Sequence, residues 1–121
     1  MSILNLDKIF DPHRVAVIGA SDTPTSVGYT VLRNLIGSGF HGVVYPVNPK
    51  REAVQGIHAY KDIPSLPFPP DLAVICTPAA TVPGLVRQCG EVGTRGIVII
   101  SAGFREIGEE GRRLEEATFF K

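Results

Sequence analysis

The sequence predicts an α/β domain of the doubly wound type, a mostly parallel sheet with helices on both faces. Three observations carry that expectation. The runs Val15-Ala-Val-Ile18, Leu72-Ala-Val-Ile-Cys76 and Ile97-Val-Ile-Ile100 are apolar at successive rather than alternate positions. Strands of that kind bury both faces, as the central strands of a parallel sheet do. Between the runs lie stripes of helical period, and strand and helix alternate along the chain in the order a doubly wound sheet requires.

Taken in order, Leu4, Leu6, Ile9 and Phe10 suggest a short N-terminal helix packed before the first strand. Val15 to Ile18 form that strand. Val27, Val31, Leu32, Leu35 and Ile36 then fall at offsets 0, 4, 5, 8 and 9, one apolar stripe that Gly37 and Gly39 bring to a stop. Val43, Val44 and Tyr45 make a shorter strand halted by Pro46, and Gly56 to Tyr60 a small additional one. The Pro-rich stretch from Ile63 to Pro70 reads as a connector leading into the strand at Asp71. Val82, Leu85, Val86 and Cys89 repeat at 0, 3, 4 and 7, with Thr81 as N-cap and Pro83 in the tolerant first turn. A last helix is expected from Glu106 to about Thr118, its acids near the positive end.

Composition narrows the function. The 121 residues fit one domain, and 12 basic against 12 acidic side chains give no net charge. Such a balance argues against a surface made for nucleic acid or an anionic membrane. No apolar run approaches the roughly 18 residues of a membrane helix, and the first ten residues lack the layout of a signal peptide, so a cytoplasmic protein is expected. Cys76 and Cys89, the only cysteines, read as buried thiols rather than a disulfide or a zinc site.

Ligands of open parallel sheets bind beyond the carboxyl ends of the strands. The first exit is the loop Gly19 to Gly28, in which Gly19 permits a sharp turn and Ser21, Thr25 and Ser26 supply hydroxyls. A helix opening near Ser26 or Val27 then offers backbone N–H groups to a phosphate. The loop lacks the Gly-x-Gly-x-x-Gly fingerprint. The second exit reads Pro46-Val-Asn-Pro-Lys50, so Asn48 and Lys50 stand where an NAD site places an acid for the ribose. Lys50 suits a ligand carrying a further phosphate. The remaining exits, Cys76-Thr-Pro-Ala-Ala80 and Ser101-Ala-Gly-Phe104, are built of small residues that let a ring or extended chain pass close to the backbone. His13, His41 and His58 have no carboxylate or nucleophile placed with them in a catalytic arrangement. The residues therefore read as a nucleotide-binding module without chemistry of its own.

Taken together, Val15-Ala-Val-Ile-Gly-Ala-Ser21, Ser26-Val-Gly28, Leu32-Arg-Asn-Leu35, Tyr45-Pro-Val-Asn-Pro-Lys50, Asp71-Leu-Ala-Val-Ile75, Pro78-Ala79 and Ile100-Ser-Ala-Gly-Phe104 resemble one family. It is the N-terminal, Rossmann-like CoA-binding domain of NDP-forming acyl-CoA synthetases, the ADP-forming acetate–CoA ligases related to the succinyl-CoA synthetase alpha subunit. The resemblance implies that residues 1–121 are one CoA-binding domain cut from a longer protein. Its ligand would be coenzyme A or an acyl-CoA, and its partners the flavodoxin-like and ATP-grasp domains or subunits of the parent ligase. None of the three histidines matches the family's phosphohistidine motif, so the fragment alone is expected to be inactive. By position, the resemblance assigns CoA phosphates to Gly19, Ala20, Ser21, Thr25, Ser26, Val27 and Gly28, with Asn48 and Lys50 beside them. It places the adenine or pantetheine path along Thr77, Pro78, Ala79, Ser101, Ala102 and Gly103. Three other readings compete: a regulatory module of a multidomain protein lysine acetyltransferase, a stand-alone CoA-binding protein, and an NAD-binding redox module. The last predicts an acid where Asn48 and Lys50 stand.

Overall fold

The structure, a computed structural model, describes residues 12–100. The expected helices at Leu4–Phe10 and Glu106–Thr118, and the exit Ser101, Ala102 and Gly103, lie outside the described residues. Four strands make the main sheet: β1 (Arg14–Ile18), β2 (Val43–Val47), β5 (Leu72–Ile75) and β6 (Gly96–Ile99), in the order β2-β1-β5-β6 and all parallel. A two-stranded antiparallel hairpin, β3 (Ala53–Val54) with β4 (Ile57–His58), follows β2. The helices are α1 (Val27–Gly37), between β1 and β2, and α2 (Val82–Val92), between β5 and β6.

The first two apolar runs bury both faces, whereas the third, on the outermost described strand β6, buries Ile97 but leaves Val98 and Ile99 half-buried and Ile100 exposed. Val15, Ala16 and Val17 have no exposed surface, and Ala73 and Ile75 have none either. On one face, Val17 packs with Ala20, Leu32, Val54 and Ala59, and Val31 and Leu35 of α1 lie against that cluster. On the other, Ala16, Ile18, Ala73, Ile75 and Ile97 join Cys89 and Val82 of α2. The two helices thus cover opposite sides of the sheet, which is the doubly wound arrangement. Leu32 is fully enclosed, the kind of position where truncation to Ala costs about 2–5 kcal/mol.

Several expectations need correction. Pro46 does not halt β2, which continues to Val47. The Pro46 carbonyl accepts from Tyr60 N–H at 2.9 Å, on the side away from β1. The missing N–H of Pro46 faces that same outer side, where no ladder bond is lost. Thr81 stands at the N-cap position of α2 but does not cap it: its hydroxyl donates to the Pro78 carbonyl at 2.6 Å instead. A 3₁₀ turn, Ala79–Thr81, leads into the helix, and Pro83 occupies the first turn as expected. The Pro-rich connector is likewise more than a linker. It opens with a 3₁₀ turn, Ile63–Ser65, capped by Asp62, and buries Ile63 in the core.

One contact sets how close α1 comes to the sheet. A Cβ built on Gly28, in its first turn, would lie 1.9 Å from the Gly19 carbonyl oxygen. Gly90, in α2, has nothing within 4 Å of the same construction. Gly28→Ala is therefore expected to destabilise the chain by about 2–3 kcal/mol, against its higher helix propensity, whereas Gly90→Ala should stabilise it by about 0.5–1 kcal/mol. Urea unfolding of the two variants checks the opposite signs.

Candidate functional site

Because β1 is followed by β2 on one side and paired with β5 on the other, the connections leaving β1 and β5 part in opposite directions. A crevice opens at their carboxyl ends. There the chain turns at Gly19, whose φ of +90° suits glycine. The Gly19 N–H donates to the Val47 carbonyl at 3.1 Å, and the Cys76 N–H donates to the Ile18 carbonyl at 2.8 Å. A Cβ on Gly19 would sit 2.9 Å from both the Cys76 carbonyl oxygen and Thr77 Cγ2. A side chain there would thus strike the β5 exit and strain the turn, rather than fill the phosphate volume that sequence reasoning assigned to it.

The crevice is a cleft of about 380 Å³, lined by Gly19, Ala20 and Ser21 from the first exit, Asn48 and Lys50 from the second, and Thr77 from the third, with Lys61, Thr81 and Leu85 closing it. Six of the expected residues therefore meet in one place. Asn48 ties two of the exits together. Its amide nitrogen donates to the Ala20 carbonyl at 2.9 Å, and its amide oxygen accepts from Lys50 N–H at 2.8 Å. That pairing sets the direction in which Lys50 leaves the strand, and the Lys50 side chain stays exposed.

The other expected residues among those described do not line the cleft. Thr25, Val27 and Pro78 are exposed. Gly28 is buried against Gly19, and Ala79 packs against the core. Ser26 is the N-cap of α1. Its hydroxyl accepts from Tyr29 N–H at 3.2 Å and donates to the Thr23 carbonyl at 2.9 Å, so capping accounts for it. Cys76 and Cys89 are free thiols, each pushed up to about 11 by burial, which removes both as nucleophiles at neutral pH. Among the described residues, no cluster of three or more His, Cys, Asp or Glu side chains could hold a metal ion, and no helix is long and apolar enough to cross a membrane.

Sequence reasoning placed a small strand over Gly56 to Tyr60, within which β4 forms, but missed its partner β3 and the hairpin that clasps the first loop. β3 and β4 are joined by Gln55 and Gly56, with φ of +50° and +80°, the left-handed pair of a tight hairpin turn. That turn aims Gln55 back at the loop. Its N–H donates to Asp22 Oδ1 at 2.7 Å, and its amide nitrogen donates to the Ser21 and Tyr29 carbonyls at 3.2 and 3.1 Å. Asp22 also pairs with Arg51 at 2.5 Å. A two-residue Gln-Gly turn between Val54 and Ile57 was the available sequence signal. The loop is thereby held from the β2 side by Asn48 and from the hairpin by Gln55.

The Arg51 hydrogen bond, and after it the Gln55 N–H, hold the Asp22 carboxyl below its usual value. A depressed carboxylate contributes stability that is present above the unfolded pKa and is lost as pH falls through the folded one. The gap in melting temperature between the wild type and Asp22→Asn is therefore expected to be full near pH 6 and to close as pH drops below the usual carboxylate range. Thermal melts of both proteins across that range check it.

Comparisons with known proteins give the family and the fold. A family described as CoA binding domain matches residues 13–118. The alpha subunit of Pyrococcus furiosus acetate–CoA ligase [ADP-forming] II is 49% identical over 92% of this chain, which covers 24% of that protein. The crystal structure of PH0766 from Pyrococcus horikoshii OT3 superposes with a TM-score of 0.82 at 50% identity, covering 93% of this chain and 26% of the other. Ca. Korarchaeum cryptofilum dinucleotide forming acetyl-coenzyme A synthetase 1, solved with phosphate and ADP, gives 0.81 at 39% identity, over 91% of this chain and 24% of that one. This chain thus spans about a quarter of the length of the relatives it matches. It belongs to the CoA binding domain family, homologous to the N-terminal part of ADP-forming acetate–CoA ligases.

Proposed function

We propose that this chain binds coenzyme A across the crevice between β1 and β5, as the CoA-holding part of an ADP-forming acyl-CoA ligase. The carrying observation is the β2 exit: Asn48 is spent on fixing the first loop, and Lys50 stands exposed on the rim of the cleft that this loop lines. The diphosphate lies along Gly19, Ala20 and Ser21, where the chain offers backbone and a small hydroxyl. The exposed Lys50 ammonium meets a phosphate of the ligand at the second exit. Thr77 borders the path of the ligand on the β5 side.

This part of the ligase holds the ligand and leaves the bond-making to others. His13 precedes β1, at the edge of the sheet opposite the cleft, and His41 lies exposed in the turn before β2. His58 stacks edge-on against Tyr60 at 4.7 Å. None of them is placed to take a phosphoryl group at the cleft, which supports a reaction carried out by flavodoxin-like and ATP-grasp partners of the same ligase. An NAD-binding redox module is the weaker reading, because Asn48 and Lys50 stand directly after β2 where an acid would hold a ribose diol.

Calorimetry of the chain with coenzyme A and with NAD tests the ligand. Coenzyme A is expected to bind more tightly, and equal or tighter binding of NAD would overturn the reading. Lys50→Ala should weaken coenzyme A by about 1–3 kcal/mol, the range for a hydrogen bond to a charged group, with a smaller loss at high salt. Its melting temperature without ligand should hardly move, since the side chain is exposed. Ser21→Ala removes one hydroxyl and should cost about 0.5–1.5 kcal/mol of binding, while Gly19→Val, clashing with Cys76 and Thr77, should lose both binding and stability. A loss for Ser21→Ala as large as for Gly19→Val would point to side-chain chemistry in the loop.

A further inference from the structure

Beyond the β2 exit lies a second hollow, an open groove of about 570 Å³ continuous with the cleft and sharing Asn48, Pro49, Lys50 and Lys61 with it. Its charged lining is Lys50, Arg51 and Lys61 against a single acid, Glu52, with His58 beside them. Arg51 is taken by Asp22. Lys50 and Lys61 are exposed, and neither ammonium is paired with a carboxylate among the described residues. The nearest acid in sequence to Lys61, Asp62, is turned to capping: its Oδ1 accepts from Ser65 N–H and from Ser65 Oγ–H, at 3.0 and 2.5 Å.

The position of Lys61 follows from the backbone. After β4 the chain runs beside the outer edge of β2, where Tyr60 bridges Val47 in parallel. Tyr60 N–H donates to the Pro46 carbonyl at 2.9 Å, and the Asn48 N–H donates to the Tyr60 carbonyl at 2.8 Å. Residue 61 therefore leaves this short fifth line of the sheet as residue 48 leaves β2, at the same crest. In a doubly wound sheet the exit of the strand beside β1 meets the ribose of an adenine nucleotide whose diphosphate lies on the first loop. Here that exit carries two lysines on neighbouring lines, neither paired with a carboxylate among the described residues, with Glu52 along the groove and Asp62 on the cleft side.

We propose that Lys61, acting with Lys50, selects a ligand whose adenosine ribose carries a phosphate, and so sets the preference for coenzyme A over its 3′-dephospho form. The assignment rests on the coenzyme A reading. A phosphomonoester carries about −1.5 to −2 charges at neutral pH, more than one lysine neutralises, and two ammonium groups bordering one groove match it.

Calorimetry of the whole chain and of Lys61→Met and Lys61→Arg, with coenzyme A, 3′-dephospho-CoA and NADP, tests this. In the wild type, coenzyme A is expected to bind about tenfold more tightly than dephospho-CoA. Lys61→Met should remove most of that ratio by weakening coenzyme A alone, and Lys61→Arg should keep it. An equal effect of Lys61→Met on both coenzymes, or no effect, overturns the role given to Lys61, as does a wild type that binds the two equally. Binding of neither coenzyme overturns the coenzyme A reading and the assignment with it. NADP carries its extra phosphate on the 2′ oxygen. NADP binding that is tighter than coenzyme A and sensitive to Lys61→Met would keep the phosphate contact and overturn coenzyme A as its source.

Discussion

Gly19 is the point at which β1, β2, β5 and α1 constrain one another. Its N–H is held by Val47 of β2, its carbonyl lies against Gly28 of α1, and the space beside its Cα is closed by Cys76 and Thr77. A residue with a side chain fails there on conformation and on space alike. Because both neighbouring strands and the helix are fixed through this turn, the cleft has its form before any ligand arrives. Preorganisation of that kind lowers the ordering cost that binding would otherwise carry.

The first loop is then held by two further ties of different character. Asn48 anchors it to the β2 exit by donating to the Ala20 carbonyl while accepting from Lys50 N–H within that exit, and Gln55 anchors it to the hairpin through its backbone and its amide, with the Asp22–Arg51 pair alongside. The ion pair is solvent-exposed on the arginine side, so it contributes little to stability, and the amides carry most of the fixing. Polar residues near the cleft are consequently divided by task. Asn48, Gln55 and Ser26 satisfy backbone groups, leaving Lys50 and Lys61 as cations beside the cleft without a carboxylate partner among the described residues.

The sheet was legible in the sequence because its central strands are apolar on both faces, and neither Val15–Ile18 nor Leu72–Ile75 has a competing period. The helices were legible from their stripes. The exits followed from topology alone, which is why Gly19, Ser21, Asn48, Lys50 and Thr77 gather at one cleft. What sequence could not convey was anything set by long-range hydrogen bonding. Pro46 looked like a terminator because its outward-facing side is visible only once β2 is known to pair with β1 on the other. Thr81 looked like a cap because its competing bond to Pro78 depends on the 3₁₀ turn. Gln55 and Lys61 passed unnoticed for the same reason: their roles depend on a hairpin and a bridge that join residues far apart in the chain.

The central claim is that coenzyme A occupies the crevice formed where the chain leaves β1 and β5. A structure of the chain with coenzyme A bound tests it most directly. The account predicts the diphosphate beside Gly19, Ala20 and Ser21, with the Lys50 ammonium on a phosphate oxygen. Coenzyme A seated at the opposite edge of the sheet, by His13 and Asp71, or along an outer helix face with the cleft empty, would contradict it.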